Sequence, residues 1–150
     1  MSLPPTEDAE RVFQRAVDAL KAGQTPSALA LLERALKLKD DPSWYSYLGY
    51  CIAKERGQVR KGSDLCAESL KAEPENALHH LNLAKILVIS GQKTEALGVL
   101  REGMAVGGSE ELISLLGTLG TRKPPVLPFL SRDNSVNKYL GMILSKLRLR

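Results

Sequence analysis

Three glycines, Gly23, Gly57 and Gly91, recur at intervals of 34 residues. The positions five, nine and twelve residues after each glycine carry a small, a medium-sized and a small side chain in turn. These are Ala28, Leu32 and Ala35, then Gly62, Cys66 and Ser69, then Ala96, Leu100 and Gly103. A fixed period of this length is typical of a chain that stacks one structural unit repeatedly. Since the intervening apolar residues follow helical spacing, we expect each unit to be a helix, a tight turn at the glycine and a second helix.

This pattern predicts an all-α fold. Helices are expected at about 7–22, 26–38, 42–56, 59–72, 76–90 and 93–106. Small residues at recurring positions favour a close approach of the two helices in each pair. Aromatic residues make up only 5% of the chain, and β-branched residues are too sparse for a large sheet. A further helix over 109–119 begins with Ser109, Glu110 and Glu111, and we expect it to cap the last pair.

The middle and third units resemble the tetratricopeptide repeat family. The middle unit fits through Tyr45, Leu48, Gly49, Ile52, Gly57, Gly62, Cys66, Ser69 and Pro74, and the third through Leu83, Ala84, Leu87, Gly91, Ala96, Leu100 and Gly103. The stretch from Gly49 to Gly57 is one residue longer than the family spacing. We therefore expect an extra residue in that first helix. The resemblance implies a right-handed α-α superhelix, a solenoid of three repeats at about 9–40, 43–74 and 77–108 within a domain spanning 1–120.

The resemblance also implies a concave groove, lined by the first helix of each repeat, that binds a peptide or helix of another protein. Helical phase gives the partner-binding candidates as Phe13, Val17, Leu20, Tyr50, Leu81, Asn82, Lys85 and Val88. In a solenoid this small, half or more of them could instead be core residues. The family's carboxylate clamp would require polar or basic residues at Phe13, Val17, Tyr47, Leu78 and Asn82. Only Asn82 fits, so no clamp is expected.

The last thirty residues differ from the repeats in charge and pattern. Residues 121–150 hold seven basic and one acidic side chain, a net of +6, whereas residues 1–120 have a net of −2. Pro124, Pro125 and Pro128 predict an extended connector. An amphipathic helix should follow, with one apolar stripe formed by Val136, Tyr139, Leu140, Ile143, Leu144 and Leu147. Three roles stay open for it: packing back on the repeats, pairing with another subunit, or docking on a membrane or partner.

Catalytic chemistry is poorly represented in this sequence. His79 and His80 are the only histidines, and being adjacent on a helix they point in different directions. We therefore expect both at the surface or at the groove edge, and we expect no metal, no cofactor and no enzyme activity. Cys51 and Cys66 are expected to be reduced, buried thiols. Basic residues at the two ends of the tail do not form the broad face that nucleic-acid binding requires.

These observations predict a non-catalytic protein–protein interaction module, a scaffold or adaptor for a protein or peptide partner. The alternative is a self-assembling structural element in which the C-terminal helix pairs with or swaps into a second subunit, giving a homodimer. Nucleic-acid binding is not expected, and membrane binding is the least favoured role of the tail. No secretory leader or membrane span is apparent, so a cytoplasmic location is expected.

Overall fold

A computed structural model describes residues 8–121 of the chain, which form seven α-helices and one short 3-10 helix, with no β-strand in that range. The helices are α1 (Ala9–Lys21), α2 (Thr25–Leu38), the 3-10 helix (Pro42–Trp44), α3 (Tyr45–Arg56), α4 (Val59–Ala72), α5 (Ala77–Ile89), α6 (Lys93–Ala105) and α7 (Glu110–Thr121). The all-α repeat fold is thereby confirmed. The predicted connector and C-terminal helix lie outside the described residues.

The three glycines of the repeat turn the chain between paired helices. Gly23, Gly57 and Gly91 have φ angles of 77°, 70° and 80°, in the left-handed region that glycine adopts without steric cost. Each lies between the first and second helix of a pair: α1 with α2, α3 with α4, and α5 with α6. α3 continues up to Gly57, its C-cap, whereas α1 and α5 end one residue earlier relative to their glycines. Relative to its glycine, α3 therefore extends one residue further than α1 and α5, although it has 12 residues and they have 13 each.

α3 and α4 approach each other closely where Gly49 faces Gly62. A Cβ atom added at either glycine would collide with the backbone carbonyl oxygen of the other. A Cβ on Gly62 would also lie 3.2 Å from Cδ1 of Ile86 in α5. The predicted close approach at small residues is therefore present between α3 and α4, and Ile86 of α5 packs against the same glycine of α4.

The start of α3 departs from the single helix predicted over 42–56. Pro42–Trp44 forms a 3-10 turn, capped by the Asp41 carboxylate, which accepts from the Ser43 backbone N–H at 3.0 Å. The Ser69 hydroxyl of α4 then occupies the place of a backbone hydrogen bond. It accepts from the Ser46 N–H at 2.8 Å and donates to the Pro42 carbonyl at 2.6 Å. A side chain inserted into the i to i−4 ladder lets the chain change from 3-10 to α geometry without a buried unpaired group.

The beginning of α7 packs on the third repeat. Ser109 caps it, its hydroxyl accepting from the Leu112 N–H at 3.1 Å, as the sequence predicted. Leu112 is fully buried, and a Cβ on Gly103 would lie 2.5 Å from its Cδ1 atom. Residues 8–113 belong to one compact unit, and the rest of α7 belongs to a second one. Leu112 therefore covers the small-residue surface of α6.

Replacing Gly62 tests the close approach of α3 and α4. In an open helical position alanine is favoured over glycine by about 1 kcal/mol, but here its methyl group meets a backbone carbonyl that cannot move alone. We expect Gly62→Ala to lower the free energy of unfolding by about 2 kcal/mol, measured by urea denaturation. Gly98→Ala in α6 is the matched control, since nothing lies within 4 Å of its added Cβ. A Gly62→Ala variant as stable as Gly98→Ala would contradict the packing.

Candidate protein-binding groove

A cavity of about 110 Å³ lies between the first helices of the three repeats and the start of α7. We call it the groove. It is lined by Val17, Leu20 and Lys21 of α1, Tyr47 of α3, Leu78, Leu81, Asn82 and Lys85 of α5, and Glu111 of α7. On α5 the four lining residues follow i, i+3, i+4, i+7 spacing, which places them on one helical face. The groove therefore combines apolar walls with a few polar and charged groups.

Five of the eight predicted contact residues line this groove: Val17, Leu20, Leu81, Asn82 and Lys85. Leu81 and Asn82 expose only 2% and 3% of their surface, so they serve mainly as its floor. Tyr47, Leu78, Lys21 and Glu111 line it as well but were not among the predicted contacts. Leu78 lies three residues before Leu81, and Lys21 lies four residues after Val17, so each shares a helical face with a predicted residue. That spacing could have identified both as lining residues.

The remaining three predicted residues, Phe13, Tyr50 and Val88, do not line the groove. Phe13 stacks on Trp44 with ring centroids 4.7 Å apart, and it meets Tyr47 edge-on at 5.1 Å. Tyr50 is half-buried against the core of the first two repeats. Val88 is exposed at the far end of α5. Phe13 and Tyr50 therefore support the groove wall from behind, which is the core role left open by the sequence.

A buried polar network lies behind the groove, at the junction of α3, α4 and α5. The Ser46 hydroxyl accepts from Asn82 Nδ2 at 3.0 Å and lies 2.7 Å from His79 Nδ1. On the other side of the ring, His79 Nε2 lies 2.8 Å from a carboxylate oxygen of Glu73, which also accepts from Asn76 Nδ2 at 3.0 Å. A neutral His79 protonated at Nε2 satisfies both contacts, since it donates to Glu73 and accepts from Ser46. Asn82 is thus committed to the interior.

The prediction that His79 and His80 lie at the surface or groove edge was wrong. Their exposed fractions are 0% and 7%. Both rings are tolerated inside because they meet polar partners: His79 bonds to Ser46 and Glu73, and His80 Nδ1 lies 3.4 Å from the Asn76 carbonyl. The partners of His79 are 33 and 6 residues away along the chain, so local spacing does not reveal them.

Burial shifts the ionisation of several groups around the groove. It raises the pKa of the Tyr47 hydroxyl to about 12, with the nearby Glu111 and Glu73 carboxylates adding to the effect. Burial also lowers the pKa of Lys85, although the negative charge of Glu111 acts in the opposite direction. Lys85 Nζ lies 5.0 Å from the ring centroid of Tyr50, a cation–π contact. With a pKa of about 12, the Tyr47 hydroxyl stays neutral at physiological pH.

The two cysteines are inner core residues, as predicted. Cys51 and Cys66 are unpaired and fully buried, and burial raises the pKa of each thiol to about 12. Over residues 8–121, no group of three or more His, Cys, Asp or Glu side chains is arranged to hold a metal ion. Within that same range no helix has the length and apolar character needed to cross a lipid bilayer.

Paired helices in tandem around a shared first-helix groove define a helical repeat protein. Residues 13–61 match the family model described as tetratricopeptide repeat. The fold is that of solved tetratricopeptide repeat structures, and the chain is similar to this family in sequence over residues 13–61. No curated protein is detectably similar to it in sequence.

Solved structures share the fold at low sequence identity. A thermophilic tetratricopeptide repeat protein of Thermus thermophilus is 21% identical with a TM-score of 0.63, over 77% of this chain and 66% of that one. The Sgt2 repeat domain of Aspergillus fumigatus is 16% identical with a TM-score of 0.59, over 91% and 98% of the two chains. The Yersinia enterocolitica chaperone SycD, in complex with a peptide of the translocator YopD, is 16% identical with a TM-score of 0.53, over 77% and 94%.

The buried His79 predicts a pH dependence of stability. Burial is the main cause that lowers the pKa of His79 below its usual 6.5. The unfolded chain therefore takes up a proton at higher pH than the folded chain, so stability is complete above about pH 6.5 and declines as the pH falls below it. We expect urea denaturation to show lower stability at about pH 5.5 than at about pH 7.5.

The variant His79→Gln is the control for this effect. It should be less stable than the wild type at about pH 7.5 by about 1–3 kcal/mol, because Ser46 loses a buried partner. Its decline on acidification should be smaller, since the titrating ring is gone. The carboxylate of Glu73, whose pKa is lowered by its Asn76 and His79 hydrogen bonds, contributes below this window. An equal decline in both proteins would contradict the assignment to His79.

Proposed function

We propose that this chain is a non-catalytic interaction module that holds a peptide or helix of a partner protein in the groove. The observation that supports this most is the composition of the groove. Val17 and Leu78 offer partly exposed apolar surface, whereas Lys21, Lys85 and Glu111 place charges around it. Apolar anchors beside a few polar groups are what peptide-binding surfaces use.

The rigidity of the groove wall also supports this proposal. Tyr47 is held by Phe13 on one side and by the His79 ring at 6.3 Å on the other. A side chain that is already ordered loses little conformational freedom when a ligand binds. A protein of the same fold, SycD, has been seen with a peptide of YopD, which makes peptide capture compatible with such an architecture.

A peptide bound in this way would not occupy a carboxylate clamp. Three of the five clamp positions hold residues without a suitable charge or amide: Val17, Tyr47 and Leu78. A fourth, Phe13, stacks on Trp44 outside the groove. The fifth, Asn82, donates its amide hydrogen bond to Ser46. The proposed ligand is therefore recognised along its length by apolar contacts rather than through its C-terminal carboxylate.

Truncating Leu78 tests the groove directly. Leu78 is partly exposed and lines the groove, so Leu78→Ala should weaken partner peptide binding by about fivefold or more while costing about 1 kcal/mol of stability. Binding would be measured by fluorescence anisotropy with peptides selected from a random library. Leu38→Ala, which removes an exposed leucine from α2, is the matched control and should bind like the wild type. Equal binding by both variants would place the ligand elsewhere.

The alternative function, self-assembly through the C-terminal stripe, is supported by the sequence pattern alone. Light scattering on the full chain tests it: a dimer that becomes a monomer when Tyr139 and Ile143 are changed to glutamate would support assembly. A monomeric wild-type chain would contradict it.

A further inference from the structure

Lys85 is the charged residue on α5 that faces the groove. It is partly buried, and its cationic group meets the Tyr50 ring at 5.0 Å. Across residues 8–121, no carboxylate lies within the 4.0 Å of an ion pair from its Nζ atom. By contrast, Lys39 and Arg56 are exposed and form ion pairs, Lys39 with Glu10 at 2.6 Å and Arg56 with Glu33 at 3.1 Å.

A cation that has lost part of its water without gaining a carboxylate is poorly compensated. The Tyr50 ring supplies part of the compensation, and the Glu111 charge acts on Lys85 from the start of α7 without forming an ion pair. A ligand carboxylate reaching Nζ would supply the rest. Such a charge-assisted contact is strong because the groove limits access of water.

The apolar residues around Lys85 restrict what can carry that carboxylate. Leu81 lies one turn before Lys85 on the same face, and Leu78 one turn before that. A ligand that reaches Lys85 along the groove therefore also contacts the leucines. A free small anion would leave these apolar contacts unused.

Building on the proposed function, we propose that the groove selects peptides in which an internal Asp or Glu, held by Lys85, is close to an apolar side chain held by Leu78 and Val17. The second lysine of the groove, Lys21, adds positive potential at its α1 edge. Glu111 disfavours an acidic group near α7, which sets the position of the acid along the groove.

The positive charge of the chain's own C-terminal tail disfavours the tail as the ligand of this groove. Residues 121–150 carry a net charge of +6, with one acidic residue, Asp133, which precedes the apolar stripe. A segment of that charge does not complement a groove that presents Lys21 and Lys85. An acidic partner peptide does.

The test uses the full chain and an array of random decapeptides, N-terminally acetylated and C-terminally amidated. The wild type should enrich peptides with Asp or Glu within a few residues of Leu, Ile, Met or Phe. Changing that acid to its amide in a selected peptide should weaken binding on the order of tenfold. Lys85→Gln should lose the acid preference, and Lys85→Glu should prefer a lysine there instead. Lys85→Arg should keep the preference.

Lys61→Gln, an exposed lysine of α4 outside the groove, is the control and should behave like the wild type. Glu111→Gln should bind acidic peptides more tightly. The proposal is overturned if peptides bind the wild type without an acid preference, if Lys85→Gln keeps that preference, or if a free C-terminus is required. Tighter binding of a synthetic 134–150 peptide in competition would also overturn it, since the tail would then be the occupant.

These outcomes are distinct from failure of the proposed function. If the array retains no peptide on the wild type, or if retained peptides bind Leu78→Ala unchanged, groove binding itself is wrong. If Leu78→Ala abolishes binding while Lys85→Gln leaves selection unaltered, the groove binds peptides and only the role of Lys85 is wrong.

Discussion

The backbone contact between Gly49 and Gly62 is the constraint on which the middle of this molecule depends. With no side chain on either residue, α3 and α4 come close enough that Ile86 of α5 reaches the same point. This fixes the position of α3, and α3 carries the groups that reach its neighbours on both sides. Ser46 bonds to α4 and α5, whereas Tyr47 contacts Phe13 of α1 and the His79 ring of α5.

Side-chain hydrogen bonds stabilise the irregular start of α3 in the middle repeat. At the position of Ser69, the neighbouring repeats have Ala35 and Gly103, which lack a hydroxyl. Ser69 bridges the Ser46 N–H and the Pro42 carbonyl where the 3-10 turn passes into α3. Replacing this hydroxyl by a hydrogen atom would leave both backbone groups without this partner, and the Ser46 N–H is buried. Ser69 therefore stabilises the 3-10 turn at the start of α3 and is not part of the common repeat pattern.

Local regularity explains what the sequence predicts well. The glycine period and the helical spacing identify the three helix pairs, since turns and helix faces depend on residues a few positions apart. His79 shows where this reasoning fails, because its burial depends on Ser46 and Glu73 from other segments. The groove shows the same limit: helical phase identifies Leu81 and Lys85 as lining residues, but in α3 it gives Tyr50 where the structure has Tyr47.

On α5, stability and recognition depend on different residues. His79 and Ile86 are fully buried and bond to or pack against α3 and α4. Leu78 and Lys85 face the groove with part of their surface exposed. Because the helical period separates these two sets, a change at Leu78 or Lys85 alters what the groove presents without removing a core contact. A scaffold held together by the inward set can therefore acquire a different partner preference through very few substitutions.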